Sequence, residues 1–193
     1  MALRFHLECT DAKNAGTAYL VSDGLETKIS SVQTPQGIYC VCGMPKRALQ
    51  QIAGSGEKFL ALDHLQDPGN LGTIIRTADA FGADGIILSE GCPDCYSPKV
   101  LRSAMGSVFR LPIWTVRNLA QALEAMRQEG FTCFGAALDG TAIRLGEFSF
   151  PKRSVAVVGN EGNGISRPVL EVCQKTLYIP MKGEAESLNA GWL

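Results

Sequence analysis

The spacing of hydrophobic and polar positions changes near the Gly54-Ser55-Gly56 break. After it, short apolar runs alternate with stretches whose apolar residues recur every three or four positions, the spacing of helices. The predicted strands are Phe59–Leu62, Gly85–Leu88, Val108–Trp114, Phe131–Leu138, Val155–Val158 and Leu177–Met181. The predicted helices are Leu71–Phe81, Pro98–Met105, Leu119–Arg127 with Asn118 as N-cap, and Pro168–Cys173. This alternation predicts an α/β fold, with a mostly parallel sheet and helices on both faces.

The first part of the chain carries fewer elements. Ala18–Val21 and Ile38–Cys42 are predicted as short buried strands, Gly24–Val32 as a helix, and Thr34–Gly37 as a turn. These elements are too few for an independent domain. We therefore expect residues 1–53 to be a partial N-terminal domain and residues 54–193 to form the second domain.

Composition and charge narrow the choice of partners. Hydrophobic residues make up 46% of the chain and charged residues 19%, as in ordinary globular proteins. The net charge of −1 gives no overall attraction to nucleic acid, so an RNA site needs a local basic cluster. The segment Cys95–Asn118 has no acidic residue and carries the predicted RNA-binding residues Lys99, Arg102 and Arg110, together with Arg117. A basic, merely solvated helix face is the alternative.

The cysteines indicate a reducing environment. There are seven, an odd number, and the N-terminus shows no secretory signal. No apolar run approaches the ~20 residues of a membrane helix, so we expect a soluble, cytoplasmic protein without a membrane partner. Cys92 and Cys95 have C-x-x-C spacing, but His6 and His64 are the only histidines. We therefore predict free, partly buried cysteines and no metal site.

Candidate chemistry lies in the loops after the strands, because ligands of parallel α/β sheets bind beyond the carboxyl ends of the strands. Three such loops are rich in glycine, asparagine and acidic residues: Asp63–Gly72, Gly159–Gly164 and Lys182–Asn189. Taken singly, each is equally compatible with an ordinary turn. Arg76, on an otherwise apolar helix, is by spacing alone compatible with a solvated or ion-paired residue.

Taken together, these loops carry a family resemblance. Asp67–Ala78 resembles the first motif of the SpoU (TrmH-like) RNA 2′-O-ribose methyltransferases of the SPOUT class. Val158–Ile165 looks like the second motif, and Ile179–Gly183 followed by Glu186–Asn189 looks like the third. The motifs occur in the family's order over roughly residues 57–190, and the stretch from Gly91 to Pro112 resembles the family's middle segment.

The resemblance implies a fold and a site. It implies a C-terminal trefoil knot, a homodimer with the site at the subunit interface, and S-adenosylmethionine bound by the second and third motifs. The implied cofactor-binding residues, largely through their main chain, are Gly159, Ile179 and Leu188, with Asn160 and Met181 beside them. The implied catalytic residues are Arg76, Asn70, Glu161, Ser187 and Asn189.

Arg76 is the family's proposed base, and two roles remain open for it. A desolvated site with cationic neighbours could make it give up a proton. Alternatively, it stays charged, binds phosphate and stabilises the forming alkoxide.

The resemblance also bears on the substrate. The first 50 residues look like the tail of a ribosomal-protein-like RNA-binding domain, which favours ribosomal RNA over transfer RNA. The chain stops soon after the third motif, so we expect a C-terminally truncated methyltransferase domain and an incomplete knot. The alternatives are a non-catalytic RNA-binding relative without cofactor affinity, a transfer RNA 2′-O-methyltransferase, and an unrelated nucleotide-binding enzyme, which the three ordered motifs disfavour.

Overall fold

The structure, a computed structural model, describes residues 3–5, 18–30, 34–35, 37–41, 43–45, 47–48, 51–137 and 140–180. Its contacts divide the chain into Met1–Met44 and Pro45–Leu193. This division lies earlier than the boundary expected at residue 54. One reason is Ile52, which is buried in a core of the second unit.

The described residues of the first unit form two short antiparallel strands and one helix. These are β1 (Leu3–Phe5), β2 (Ala18–Leu20) and α1 (Asp23–Ile29). The predicted strand near Ala18 is present, but Tyr19 and Leu20 are 62% and 53% exposed, so its predicted burial is wrong. The strand predicted at Ile38–Cys42 is also wrong, because residues 38–41 are exposed and form no strand. An apolar run becomes a buried strand only where a neighbouring strand and a core are available to it.

In the part of the second unit that the structure describes, seven strands form one sheet, and all neighbouring strands pair in parallel. The strands are β3 (Lys58–Leu62), β4 (Gly85–Ser89), β5 (Ile113–Val116), β6 (Thr132–Ala136), β7 (Ile143–Arg144), β8 (Ser154–Val158) and β9 (Lys175–Tyr178). The helices are α2 (Pro68–Ala80), α3 (Pro98–Ala104), α4 (Leu119–Gln128) and α5 (Arg167–Val172). The predicted parallel α/β fold is confirmed, and Asn118 caps α4 by accepting from the Gln121 N–H.

The strand predicted at Val108–Trp114 is wrong over its first half. Residues Ser107–Phe109 form a short 3-10 helix, and β5 begins only at Ile113. Met105 and Gly106 both adopt left-handed backbone conformations, which turn the chain at the end of α3. Pro112 has no N–H to donate to a sheet ladder, so regular pairing starts after it. Apolar content alone could not reveal this turn.

Two hydrophobic cores cover the two faces of the sheet. Successive residues of a strand point to opposite faces, so Ile86 and Leu88 face one core while Ile87 faces the other. The first core lies under α2 and α3, and the second lies under α4 and α5. With both faces covered, the strands have the continuous apolar sequences from which they were predicted.

The strand order reverses beside β3, and this places the site. The order across the sheet is β5-β4-β3-β8-β6-β9-β7. The chain runs outward from β3 through β4 to β5, then crosses to β6, and β8 later inserts between β3 and β6. Ligands of open α/β sheets bind outside the carboxyl ends of the strands at such a switch point. The loops after β3 and β8 meet there.

Helices α2 and α3 approach each other closely at Gly72. A Cβ atom on Gly72 would lie 1.9 Å from Ser103 Oγ and 2.8 Å from the Val100 carbonyl oxygen. The Ser103 hydroxyl is held in place because it donates to the Lys99 carbonyl at 2.9 Å. The close crossing of the two helices therefore requires glycine at this position.

Replacing Gly72 with alanine is expected to lower the free energy of unfolding by about 1–3 kcal/mol, the usual cost of overpacking. The loss should appear in urea unfolding despite alanine's better helix propensity. The double variant Gly72→Ala/Ser103→Gly should recover part of it, because two of the overlapping atoms belong to Ser103. Unchanged stability of Gly72→Ala would contradict this account of the crossing.

The described cysteines Cys40, Cys92, Cys95, Cys133 and Cys173 are free, as predicted. Burial raises the pKa of Cys133 to about 12 and that of Cys95 and Cys173 to about 11. These three thiols are therefore protonated at neutral pH and poorly reactive. Within the described ranges, no helix is long and apolar enough to cross a membrane.

Candidate active site

The site begins where β3 and β8 end side by side. Leu62 pairs with Val158, and the Asp63 N–H donates to the Val158 carbonyl at 2.9 Å. The loops that follow, Asp63–Asp67 and Gly159–Gly164, are therefore neighbours although about 95 residues separate them in sequence. The first loop ends at Asp67, where the first predicted motif begins, and the second loop holds most of the second predicted motif.

Asp67 fixes the start of helix α2. Its Oδ1 accepts from the Asn70 N–H at 2.9 Å, and Pro68 occupies the first helical turn. Its Oδ2 accepts from Lys99 Nζ at 2.9 Å, which joins the start of α2 to α3. The Lys99 ammonium and the Asn70 N–H hold the pKa of the Asp67 carboxyl below its ordinary value. The helix thus starts three residues earlier than the periodicity predicted.

Glu161 joins the second loop to the first. One carboxylate oxygen accepts from Asn70 Nδ2 at 2.9 Å and from the Asp67 N–H at 3.1 Å. The other accepts from the Gln66 N–H at 2.9 Å. Burial alone would raise the pKa of Glu161, but these hydrogen bonds outweigh it and hold the pKa below its ordinary value. The structure therefore brings two predicted catalytic residues, Asn70 and Glu161, into direct contact.

The second loop is held by Asn160. Its Oδ1 accepts from the Gly162 and Asn163 N–H groups at 2.9 Å, and its main chain pairs with Gly164 in both directions. Its Nδ2 donates to the His64 carbonyl at 2.7 Å. These bonds make the loop a tight turn fastened to the loop after β3. In this structure the polar groups of Asn160, a predicted cofactor-binding residue, shape the site.

Gly159, which is buried, and Ile179, which is half-buried, have main-chain groups without a hydrogen-bond partner among the described residues. Gly159 follows β8 and Ile179 follows β9, with β6 between those two strands. Within the described ranges, neither residue uses its main-chain N–H or C=O in a hydrogen bond. Met181, Ser187, Leu188 and Asn189, predicted from the third motif, lie outside the described residues, as does the segment on which the predicted knot depends.

The basic residues predicted to belong to the site differ in their surroundings. Arg76 and Arg102 are exposed, and neither forms an ion pair or hydrogen bond in the part of the chain that the structure describes. Lys99 is paired with Asp67, while Arg110 donates to Asp79 from Nε at 3.0 Å and from Nη2 at 2.6 Å. The basic segment is therefore partly neutralised by acids of the α2 region. Such exposed pairs are weak, so a phosphate could replace either carboxylate.

Sequence reasoning missed two residues of the site, Asp63 and His64. Asp63 is 1% exposed, and its Oδ2 accepts from the Ser166 N–H at 2.7 Å, which holds the start of α5. His64 has a left-handed backbone with φ 53° and a largely exposed ring. Their position directly after β3 was a signal for both, but nothing in the sequence pattern distinguished them from turn residues.

The lowered pKa values of Asp67 and Glu161 predict a loss of stability in acid. Each carboxyl has a folded pKa below its unfolded value, so its stabilisation is complete above the unfolded pKa, about 4. It is lost as the pH falls through the lowered folded value. Unfolding in urea between pH 6 and pH 2.5 should therefore show a smaller decline for Asp67→Asn/Glu161→Gln than for the parent.

Glu90→Gln is the matched control, because Glu90 is exposed and its side chain has no described partner. It should decline as steeply as the parent. Equal slopes for all three proteins would show that the two carboxyls do not contribute to acid stability.

The chain is similar to known proteins over most of its length. Residues 57–192 match the model of the SpoU rRNA Methylase family. The 23S rRNA (guanosine(2553)-2'-O)-methyltransferase RlmP of Bacillus subtilis is 39% identical over 180 residues, which cover 93% of this chain and 70% of RlmP. A 23S rRNA (uridine(2479)-2'-O)-methyltransferase of Streptomyces viridochromogenes is 36% identical over 82% of this chain and 57% of its own length.

The chain is also similar to a solved structure. The AdoMet-bound rRNA methyltransferase from Sinorhizobium meliloti is similar with a TM-score of 0.70 and 36% identity. The similarity covers 77% of this chain and 57% of that chain. This chain thus spans little more than half of two of these three proteins and 70% of the third.

Proposed function

We propose that this chain, which belongs to the SpoU rRNA methylase family, transfers a methyl group from S-adenosylmethionine to a ribose 2′-hydroxyl of ribosomal RNA. One structural observation carries the proposal. Glu161 of the second motif region binds Asn70 and the main chain of the first, at the switch point of the sheet. The names of two relatives, both 23S rRNA 2'-O-methyltransferases, support ribosomal RNA as the substrate.

The available main-chain groups fit S-adenosylmethionine. Gly159 and Ile179 flank the end of β6, and two inter-strand spacings separate them by about 10 Å. Their free N–H and C=O groups can bind the polar edge of an adenine without any charged side chain. We propose that Leu188 and Met181 complete this pocket and that Asn160 shapes its wall. When bound, the cofactor supplies the electrophilic methyl group.

The polar residues would position the ribose. We propose that Asn70 and Glu161, fixed by each other, hold the edge against which the sugar lies, and that Ser187 and Asn189 contribute from the third motif. Arg76 would remain charged and stabilise the alkoxide as the 2′-hydroxyl loses its proton, because its exposed guanidinium has no acidic partner among the described residues. Among the described residues Arg76 is exposed, whereas a base would need desolvated surroundings.

We also propose contacts with the RNA backbone and a role for each domain. Lys99, Arg102 and Arg110 would bind RNA phosphates, with Lys99 and Arg110 exchanging their carboxylates for them. We further propose that residues 1–53 bind the RNA substrate, and that residues 54–193 form the methyltransferase domain. That domain would contain the trefoil knot and form a homodimer.

The test uses the full chain with tritium-labelled S-adenosylmethionine and in vitro transcribed 23S rRNA. A ribose product is identified as a labelled dinucleotide that resists alkaline hydrolysis. Cofactor binding is measured separately as a rise in melting temperature, because a ligand that binds the folded state stabilises it. No thermal shift at millimolar cofactor would favour the non-catalytic alternative, and labelling of a transfer RNA pool in preference to 23S rRNA would favour the transfer RNA alternative.

A further inference from the structure

His64 combines a strained backbone with an exposed ring. Its φ of 53° lies in the left-handed region, where side chains other than glycine and asparagine are uncommon. Its side chain is 61% exposed. Among the other described non-glycine residues, only Met105 has a positive φ. Glycine adopts this conformation freely, so a turn alone does not call for an imidazole here.

The strained backbone is held from two sides. The His64 N–H donates to the buried Ser89 hydroxyl at 2.8 Å, and its carbonyl accepts from the buried Asn160 side chain at 2.7 Å. Ser89 belongs to β4 and Asn160 to the loop after β8. The surrounding structure thus imposes the conformation, as is common where strain serves a functional site.

The contacts of the His64 ring define its position. A Cβ atom on Gly91 would lie 2.0 Å from His64 Nδ1, so the ring rests on the backbone of Gly91. Its Nε2 lies 3.8 Å from the buried Asp63 Oδ1. The side chain is otherwise largely exposed to solvent. His64 is joined to the second loop through its own carbonyl, which accepts from Asn160, and two residues later the Gln66 N–H donates to Glu161. An exposed aromatic ring therefore belongs to the same loop that helps to hold Glu161.

We propose that His64 stacks on an unpaired nucleobase next to the target ribose, and so positions the RNA. Proteins that recognise single-stranded RNA use aromatic rings in this way, because every base offers a flat face. This inference rests on the proposed function, since it takes the RNA to be bound beside this loop. His64 acts here on binding and positioning, not on the transferred methyl group.

The test compares three variants of His64 in the full chain by filter binding and methyl transfer on the 23S rRNA transcript. His64→Gly removes the ring and the strain, and should raise Kd and KM for RNA roughly 5- to 100-fold, the range for one lost base stack. The rise in KM should exceed any change in kcat, and the melting temperature should not fall. His64→Phe should bind RNA within about threefold of the parent, because it keeps the flat ring.

Phe81→Ala is the matched control, because it also removes an exposed aromatic ring, at the end of α2 and outside the basic segment. It should leave RNA binding unchanged. Parent-like binding by His64→Gly, or equal weakening by Phe81→Ala, would overturn the proposal. So would parent-like binding by His64→Lys together with weak binding by His64→Phe, which would indicate a phosphate contact. A parent that binds RNA without methylating it would refute the proposed function, while the binding comparison would still test His64.

Discussion

Replacing Arg76 with alanine is expected to lower kcat for methyl transfer by about 10²- to 10³-fold, the usual effect of removing one group that stabilises developing negative charge. Arg76 is exposed on α2 and has no ion pair among the described residues, so its loss should leave the free energy of unfolding nearly unchanged. The cofactor-induced rise in melting temperature should also persist, because Gly159 and Ile179 are untouched.

The shape of the pH–rate profile separates the two roles of Arg76. If Arg76 is a permanent cation, Arg76→Ala should lower the rate equally at every pH and leave the profile's shape unchanged. A profile that no longer rises with increasing pH in the variant, having lost its acid limb, would identify Arg76 as the titrating base. Thr77→Ala is the matched control, since Thr77 is the exposed next residue on the same helix and should retain the parent rate.

Replacing Gly159 with alanine is expected to abolish the cofactor-induced thermal shift and to lower methyl transfer by more than about tenfold. A tenfold loss corresponds to about 1.4 kcal/mol, the scale of one or two lost hydrogen bonds. A Cβ atom there would lie 2.2 Å from both Gly164 C and Ile165 N. Because both neighbours are backbone atoms, they cannot rotate away, so the Asn160–Gly164 pairing must open. Glu161, carried on the same turn, would then leave Asn70.

Gly162→Ala provides the control within the same loop. A Cβ atom on Gly162 would meet only Asn160 Oδ1, at an ordinary contact distance of 3.6 Å. This variant should bind cofactor and turn over like the parent. If the two alanine variants behaved alike, the loop would not depend on the close approach seen at Gly159.

The parts of the fold that were predictable are those set by local periodicity. Helix α4 and its Asn118 cap, and the alternation of buried strands with amphipathic helices, were both evident in the sequence. Strand β7 was not, because Ile143–Arg144 is too short to show any period. The apolar run at residues 38–41 was wrongly predicted as a strand, because an apolar pattern does not show whether a partner strand exists.

The candidate site was also predictable only in part. The motif residues Asn70 and Glu161 were identified from the sequence, but the hydrogen bond between them spans 91 positions and is a property of strand order. The ion pairs of the basic segment could not be predicted from its own stretch alone. Asp67 and Asp79, which neutralise Lys99 and Arg110, lie 32 and 31 positions upstream on a packed neighbour. Charge balance at a site therefore follows from packing more than from composition.

Strand β8 is synthesised long after its neighbour β3, and this delay affects folding during synthesis. On the ribosome, β3 leaves the tunnel long before its second neighbour, because residues 63–153 separate the two strands. At about 5–20 residues per second, one edge of β3 stays unpaired for roughly 5 to 20 seconds. During that time one edge of an apolar strand, which lies inside the finished sheet, has no partner. Chaperones bind such edges, and such edges also initiate aggregation. We expect yield in cells to depend more on this interval than on the stability of the finished sheet.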